Sequence, residues 1–525
     1  MNSNSPPLLS FWGRVEHATY HEQVLEDYAN NPLQQALPPF LLGDEPVRQL
    51  ARYPKYKEED RTLPPEIRYH LAAKVRQIFE PLPIVQDLRQ RFNSMLWSGY
   101  EGRNPPERGF WSNLDGKLET FTLNIVTPQD QLYTRLLPQT ALGFTILGMS
   151  GVGKTKAIEA ILSLYPQLII HSKYQNRDFN WLQVVWLKLE CPHDGSTKGL
   201  CQNFLAALDS VLGTNYLKQF GRDGKASKNE MLTAIARLAS IHTLGMLVID
   251  EVQRISKAKS GGVGEMLNFF TELVNTIGIP IVLVGTYKAL SVLMGEFHQA
   301  RRGSGQGDLH WFPMKEDSVW ELFVESLWDY QYTREKTDLT PQLSHTLYEV
   351  SQGITDIAVK AYMLAQRRAI NIAMTTPSTK EIIDENVILS VAQDSITLSN
   401  YVLSAMRNGK LYQLIDVEDI HANKIDILFK EAFQRASPTT PAKSKTPPTT
   451  TAKKRQEQNT PDQSAETKQE SVEEPDTSLL KGGLIEVASA ATARKIIWYD
   501  ALNEARYIMP INEYDDVPLV EKVVG

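Results

Sequence analysis

Cysteine is nearly absent: Cys191 and Cys201 are the only two in 525 residues. That excludes a disulfide framework and fits a reducing compartment. Long apolar runs are also missing. The most apolar stretch, Ile277 to Val284, falls far short of the roughly 20 residues that a membrane-spanning helix needs. The opening MNSNSPPLLSFW has no basic segment leading into an apolar core, so no secretory signal is expected. Positive charge is not in excess, since 55 Lys and Arg stand against 62 Asp and Glu, a formal balance of −7. A uniformly basic coat is excluded, while local basic patches for DNA stay open. Neither a G-x-S-x-G elbow nor an H-E-x-x-H pair occurs. Cys191, His193 and Cys201 lack a fourth ligand at any common zinc spacing. The expectation is a soluble, cytoplasmic chain of bacterial type with no membrane partner.

What is present is an ordinary globular composition, 42% hydrophobic and 22% charged, so large cores can form. Residues 1–115 carry scattered prolines and amphipathic stretches such as Ile67 to Phe79, and read as a mostly helical N-terminal region. Over 116–315, apolar runs of strand length alternate with amphipathic segments of helix length. The expected strands are Leu142–Leu147, Val184–Glu190, Gly245–Glu251 and Pro280–Gly285. The expected helices are Lys154–Leu164, Lys198–Leu212, Lys228–His242 and Gly264–Ile277. Strand, helix, strand in this order predicts an α/β fold with a parallel sheet covered on both faces. Residues 316–435 have helical periodicity, clearest in Val319–Trp328 and Ile357–Ile370.

Residues 436–478 differ from everything before them. Ala436 to Arg455 holds five basic residues and no acid, while Gln456 to Asp476 holds seven acids against Lys468. Pro, Thr, Ser, Gln and Lys dominate, so the segment cannot bury enough surface to offset its ordering entropy and reads as a disordered tether. A tail, 479–525, follows it.

The strongest chemical signal is GMSGVGKT, Gly148 to Thr155, a match to G-x-x-x-x-G-K-[ST] between an apolar strand and an amphipathic helix. Gly148, Ser150, Gly151, Val152, Gly153, Lys154, Thr155 and Lys156 are expected to cradle the phosphates of ATP. Glycines permit the tight curvature, and the helix N-terminus adds a favourable dipole. Lys154 would meet the β- and γ-phosphates and Thr155 would ligate Mg²⁺. The second signal is GMLVIDEV, Gly245 to Val252, an apolar strand ending in two acids. Nucleotide sites form at this edge of open α/β sheets. Asp250 is expected to serve the Mg²⁺ hydration shell, and Glu251 to orient and deprotonate the attacking water. In sequence, one further strand, Val184–Glu190, lies between the two motifs, which suits a sheet with an extra strand separating them.

IPIVLVGT, Ile279 to Thr286, places Thr286 where it can sense the γ-phosphate from a neighbouring strand. In QARRGSGQGD, Arg301 and Arg302 would supply a guanidinium to a neighbouring subunit's phosphoryl group. The competing reading is a solvated helix end. The loop RISKAKSGG carries Arg254, Lys257 and Lys259, which in a ring or helical assembly would touch nucleic-acid phosphates. Otherwise it is a plain solvated loop.

GMSGVGKT, LVIDEVQ, PIVLVGT and ARRGSG, in this order and spacing, resemble the AAA+ ATPases of transposition, the TnsC-type regulators of multi-component DNA transposons. NPLQQALPP, GYEGRNP, SGGVGEMLNFF and SQGITDIAVK extend the likeness over most of 20–400. The resemblance implies an AAA+ P-loop ATPase with a helical lid that uses ATP and Mg²⁺ and forms a homo-oligomeric ring or filament on double-stranded DNA. It implies two further partners: a target-selection protein or RNA-guided complex, with the N-terminal region contacting either that selector or DNA, and transposase subunits caught by the tail. Lids of this kind often carry an arginine soon after a glycine. Here Gly353 is followed by Ile354, Thr355 and Asp356, so Lys360, one helical turn on, is the expected second sensor. Two other functions compete: a signalling ATPase that oligomerises without DNA, and a loader-type machine of replication.

Overall fold

The computed structural model describes residues 13–23, 25–107, 110–126, 143–221, 225–257, 262–289, 307–376, 378–397 and 400–408. The expected tether, 436–478, and tail, 479–525, lie outside them, as do Lys259, Arg301 and Arg302.

Among the described residues eight strands are formed: β1 (Val15–His17), β2 (Phe144–Gly148), β3 (Leu168–Tyr174), β4 (Arg177–Val184), β5 (Trp186–Glu190), β6 (Met246–Asp250), β7 (Ile281–Gly285) and β8 (Leu309–Trp311). Five make one sheet in the order β5-β6-β7-β2-β8, and all its neighbours run parallel. Every residue of β2, β6 and β7 is buried, which is why these strands read as unbroken apolar runs rather than as alternations. The α/β fold expected from the alternation of elements is the one observed. Helices Lys154–Leu162, Thr197–Leu212, Lys228–Ile241 and Gly262–Glu272 fall where expected. The last continues as a π-helical turn, Leu273–Ile277, closed by Gly278 at φ 82°.

One detail of the sheet differs from expectation. The strand between the phosphate-loop strand β2 and the acidic strand β6 is β7, while β5 lies on the outer edge. Sequence order hides this, because the chain crosses past two positions before stepping back toward β2.

A second sheet, β1-β3-β4, was not foreseen. Its hairpin turns at Gln175 and Asn176, both at positive φ (48° and 62°), as two-residue hairpin turns require. The expected strand Val184–Glu190 begins at Trp186, because Val184 still belongs to this hairpin.

The N-terminal region is bound to the rest of the chain along its length. Helix Pro83–Glu101 buries Leu88, Phe92 and Met95. Tyr100 donates its hydroxyl to the carbonyl of Thr243 (3.1 Å), and a Cβ at Gly245 would lie 2.5 Å from the same hydroxyl. Further back, Tyr56 donates to the carbonyl of Gln331 (3.0 Å) and Arg61 to that of Thr333 (3.0 Å). Arg68, fully buried, grips both oxygens of Glu381 and the carbonyl of Tyr332. The amphipathic stretch Ile67 to Phe79 is covered by helix Pro65–Leu71 running into a 3-10 segment, Ala72–Gln77.

The C-terminal described part is helical: Ser318–Trp328, Pro341–Ser351, Thr355–Thr375, Glu385–Ser395 and Asn400–Arg407. Among the described residues no helix is long and apolar enough to cross a membrane.

Candidate nucleotide-binding site

The C-terminal tips of β2, β6 and β7 bring the expected residues to one edge of the sheet. Gly148 ends β2 against β8, where a Cβ would stand 2.3 Å from the carbonyl oxygen of Trp311. The loop then turns through Gly151 (φ 83°) and Gly153 (φ 103°), conformations that L side chains rarely adopt. Ser150 is exposed and Val152 is buried beneath the loop. Lys154 opens the following helix, and its buried side chain donates to the carbonyls of Gly148 and Met149, both at 2.7 Å. Thr155 Oγ1 donates to Asp250 Oδ2 at 2.9 Å, joining loop and acidic strand. Lys156 points to the rim, donating to the carbonyl of Arg76 (2.9 Å).

Asp250 is buried, and its other oxygen, Oδ1, accepts the backbone N–H of Glu251 at 2.9 Å. Glu251 takes φ 61°, a left-handed conformation costing a non-glycine residue about 1–2 kcal/mol. Its Oε2 accepts from Gln253 Nε2 (2.5 Å) and lies 3.8 Å from Arg254 Nη2. Thr286 follows the tip of β7, and its backbone N–H donates to Gln253 Oε1 at 3.1 Å.

Lys188, on β5, was not foreseen. Its buried ammonium pairs with Glu159 (2.7 Å) and lies 3.8 Å from Asp250 Oδ2. The signal was a lone lysine in the apolar run VVWLKLE.

The lid meets the loop directly. Asp356 N donates to the carbonyl of Gly151 (2.9 Å), and Thr355 Oγ1 to that of Val152 (3.2 Å). Beside them a cleft is walled by Ile78, Phe79, Val85, Trp311, Phe323 and Val359, apolar groups suited to the flat face of a base. Lys360, expected as second sensor, is exposed and ion-paired to Asp356 on its own helix.

The basic loop is also more engaged than its composition implies. Residues Val252–Lys257 form a 3-10 turn, within which Arg254 donates to the carbonyl of Cys191 (2.9 Å) and pairs with Glu190 (3.2 Å). Lys257 is exposed. Cys191 and Cys201 are free and buried, and burial pushes both thiols up to about 12.

The donor set fits a nucleoside triphosphate with Mg²⁺. A hydroxyl and a carboxylate converge at 2.9 Å, beside a buried lysine and a loop whose glycines hold positive φ. Residues 138–293 match the protein-family model described as "AAA domain". This segment is an AAA domain.

Among solved structures, the chain is similar to a Walker-type ATPase of Pyrococcus abyssi, at 13% identity over 58% of this chain and 73% of that one, TM-score 0.33. It is similar to the Aeropyrum pernix ORC1 protein, solved in complex with DNA, at 14% identity over 55% and 65%, TM-score 0.33. A third is the CDC6P of Pyrobaculum aerophilum, at 12% identity over 54% and 68%, TM-score 0.29. No curated protein matches the chain by sequence. The AAA domain contains the glycine loop, the acidic strand tip and Thr286, while the cleft's outer walls come from segments on either side of it.

Proposed function

We propose that the chain is an ATP-hydrolysing regulator of DNA transposition. It binds ATP and Mg²⁺ at the strand tips and oligomerises on double-stranded DNA as a ring or filament. Target selection, by a protein or an RNA-guided complex, is linked in this way to recruitment of transposase through residues 479–525, and hydrolysis resets the assembly. The observation that carries the ATPase part is the 2.9 Å contact from Thr155 to Asp250, with Glu251 next in the chain and Thr286 bridged to it through Gln253. The transposition part is supported by the ordered stretches from NPLQQALPP to SQGITDIAVK.

In this reading Lys154 leaves the loop carbonyls for the β- and γ-phosphates, and Thr155 and Asp250 hold Mg²⁺. The metal, when bound, neutralises charge on the phosphate oxygens. Glu251 orients a water in line with the γ-phosphorus. As the water oxygen bonds to phosphorus, its proton passes to the oxygen of Glu251 that Gln253 does not hold, and the bond to the bridging oxygen breaks to release ADP. Thr286 stands by the γ-phosphate, and Arg301 or Arg302 reaches it from a neighbouring subunit. Lys257 and Lys259 face DNA phosphates. Arg254 joins them only by releasing Glu190.

A gel shift on random-sequence duplex DNA tests this, with ATP, a non-hydrolysable analogue or ADP, followed by addition of the transposase. Binding with ATP and the analogue but not ADP, and capture of transposase, is expected. Assembly without DNA favours the signalling function instead, and DNA assembly that never engages transposase favours the loader.

A further inference from the structure

The side chain of Gln253 touches two strand tips at once. Its Nε2 donates to Glu251 Oε2 at 2.5 Å, and its Oε1 accepts the backbone N–H of Thr286 at 3.1 Å. The amide can stand only one way round, because a carboxylate oxygen accepts and a backbone N–H donates. Both ends are therefore fixed.

Gly285 makes the room for it. A Cβ there would lie 2.8 Å from Gln253 Oε1, so the amide would have to move away, while Gln253 N at 3.4 Å would be in ordinary contact. Gly285 is not among the residues at positive φ, so backbone conformation does not demand a glycine here. Space for the amide does.

The bridge also has a direction. In the sheet β7 lies between β6 and the phosphate-loop strand β2, so an amide anchored at the end of β7 draws the Glu251 carboxylate toward the loop. Arg254 pulls the other way. Its guanidinium lies 3.8 Å from the same oxygen and is anchored to Glu190 and the carbonyl of Cys191 at the end of the outer strand β5. Without the amide, Glu251 has a cation ready on the side away from the phosphates. The left-handed backbone at Glu251, φ 61°, is of the kind that persists only where surroundings over-determine it.

We infer that Gln253 is a positioning residue, whose amide ties Glu251 to the backbone at Thr286 and holds the carboxylate on the phosphate-loop side, in the space that Gly285 leaves open. This deepens the ATPase reading and rests on it. It also makes the end of β7 a place where movement, such as that of a neighbouring subunit or bound DNA, is passed to the carboxylate.

The test compares full-length wild type with Gln253→Met, Gln253→Glu and Gly285→Ala, measuring steady-state phosphate release, binding of a fluorescent ATP analogue and thermal melting. Gln253→Met removes both hydrogen bonds. Gln253→Glu keeps the acceptor for Thr286 but loses the donor to Glu251. Gly285→Ala keeps Gln253 and takes its space. Since a misplacement of about 1 Å can cost on the order of a hundredfold in rate, all three should lose at least about tenfold in kcat. ATP KM and analogue binding should stay within about twofold, and the melting temperature should be close to that of wild type. Wild-type kcat in Gln253→Met, or in Gln253→Glu alone, overturns the proposal, as does a change confined to KM. A wild-type protein that hydrolyses no ATP overturns the ATPase reading itself, so the two failures are distinguishable.

Discussion

The hydroxyl of Thr155 donates to a carboxylate oxygen of Asp250 at 2.9 Å, although 95 positions separate them in the chain. This contact pins the start of helix Lys154–Leu162 to the tip of β6, and in the proposed reading it is where Thr155 and Asp250 would share Mg²⁺. Thr155→Ala should therefore weaken Mg²⁺-dependent ATP binding by about one order of magnitude while leaving the fold intact. Lys154→Ala should remove nucleotide-dependent assembly altogether, because the phosphates lose their point charge. Titration of a fluorescent ATP analogue with and without Mg²⁺, with sedimentation for assembly, checks both variants.

His171 supplies a pH dependence of stability. The ring is buried on β3, its Nδ1 2.8 Å from the hydroxyl of Tyr20 and its Nε2 2.9 Å from Gln183 Oε1. Gln183 Oε1 can only accept, so Nε2 carries the proton, and Nδ1 accepts from Tyr20. Burial lowers the pKa from 6.5 to about 4. A folded-state pKa below the unfolded one gives stability that is complete above pH 6.5 and lost as pH falls toward about 4. Between about pH 7 and about pH 5 the loss should be about 2 kcal/mol. Urea unfolding of wild type and His171→Phe at both values checks it, the variant losing less of its stability on acidification.

The positions of the chemical residues were legible because the motifs are local. Gly148 to Thr155 is one contiguous loop, and Asp250 and Glu251 end a run that is apolar because β6 is buried on both faces. What was hidden depends on distant partners. The hairpin β3–β4 turns on Gln175-Asn176 without a glycine, and its strands are too mixed in polarity to stand out. β8 has three residues, too few for any periodicity. Arg68 and Glu381 form a buried pair across 313 positions, so the N-terminal region's attachment to the lid is invisible to local pattern. The same holds for Arg254, whose charge reads as available until Glu190 is found beside it. Lys360 was placed by analogy with an arginine, and its pairing with Asp356 on the same helix is a contact that the analogy does not show.

Arg301 and Arg302 lie outside the described residues, and their proposed action across subunits is open to a mixing experiment. A double Arg301→Ala, Arg302→Ala protein supplies an intact phosphate loop, and a Glu251→Gln protein, which should still bind ATP and assemble, supplies the guanidinium. Mixed, the two should recover measurable ATPase activity that neither shows alone. No recovery at any ratio, with both variants folded and co-assembling, removes the finger in trans.

The tail carries a separate prediction. KIIWYDALNEARYIMPINEYDDVPLVEKVVG alternates aromatic and aliphatic groups with acids, and a partner surface is the expected place for Ile497, Trp498 and Tyr507 in so short a segment. Read as a tether, residues 436–478 would span roughly 5–6 Å times the square root of their number, a few tens of Å for about 43 residues. Deleting 479–525 should leave ATPase activity and DNA assembly largely intact and remove transposase capture in a pull-down. Undiminished capture sinks the hook, and lost ATPase activity places the tail on its own AAA domain.

The most direct test of the central claim, that hydrolysis at the tips of β6 and β7 controls the assembly state on DNA, is Glu251→Gln. One sample series should be read two ways, by steady-state phosphate release and by the fraction of duplex DNA held in the assembly after ATP addition. An amide cannot take the water's proton, so release should fall by about two to four orders of magnitude, ATP should still bind, and the DNA-bound assembly should persist long after wild type has let go. Unchanged phosphate release, or an assembly that decays at the wild-type rate while release is abolished, would contradict the account.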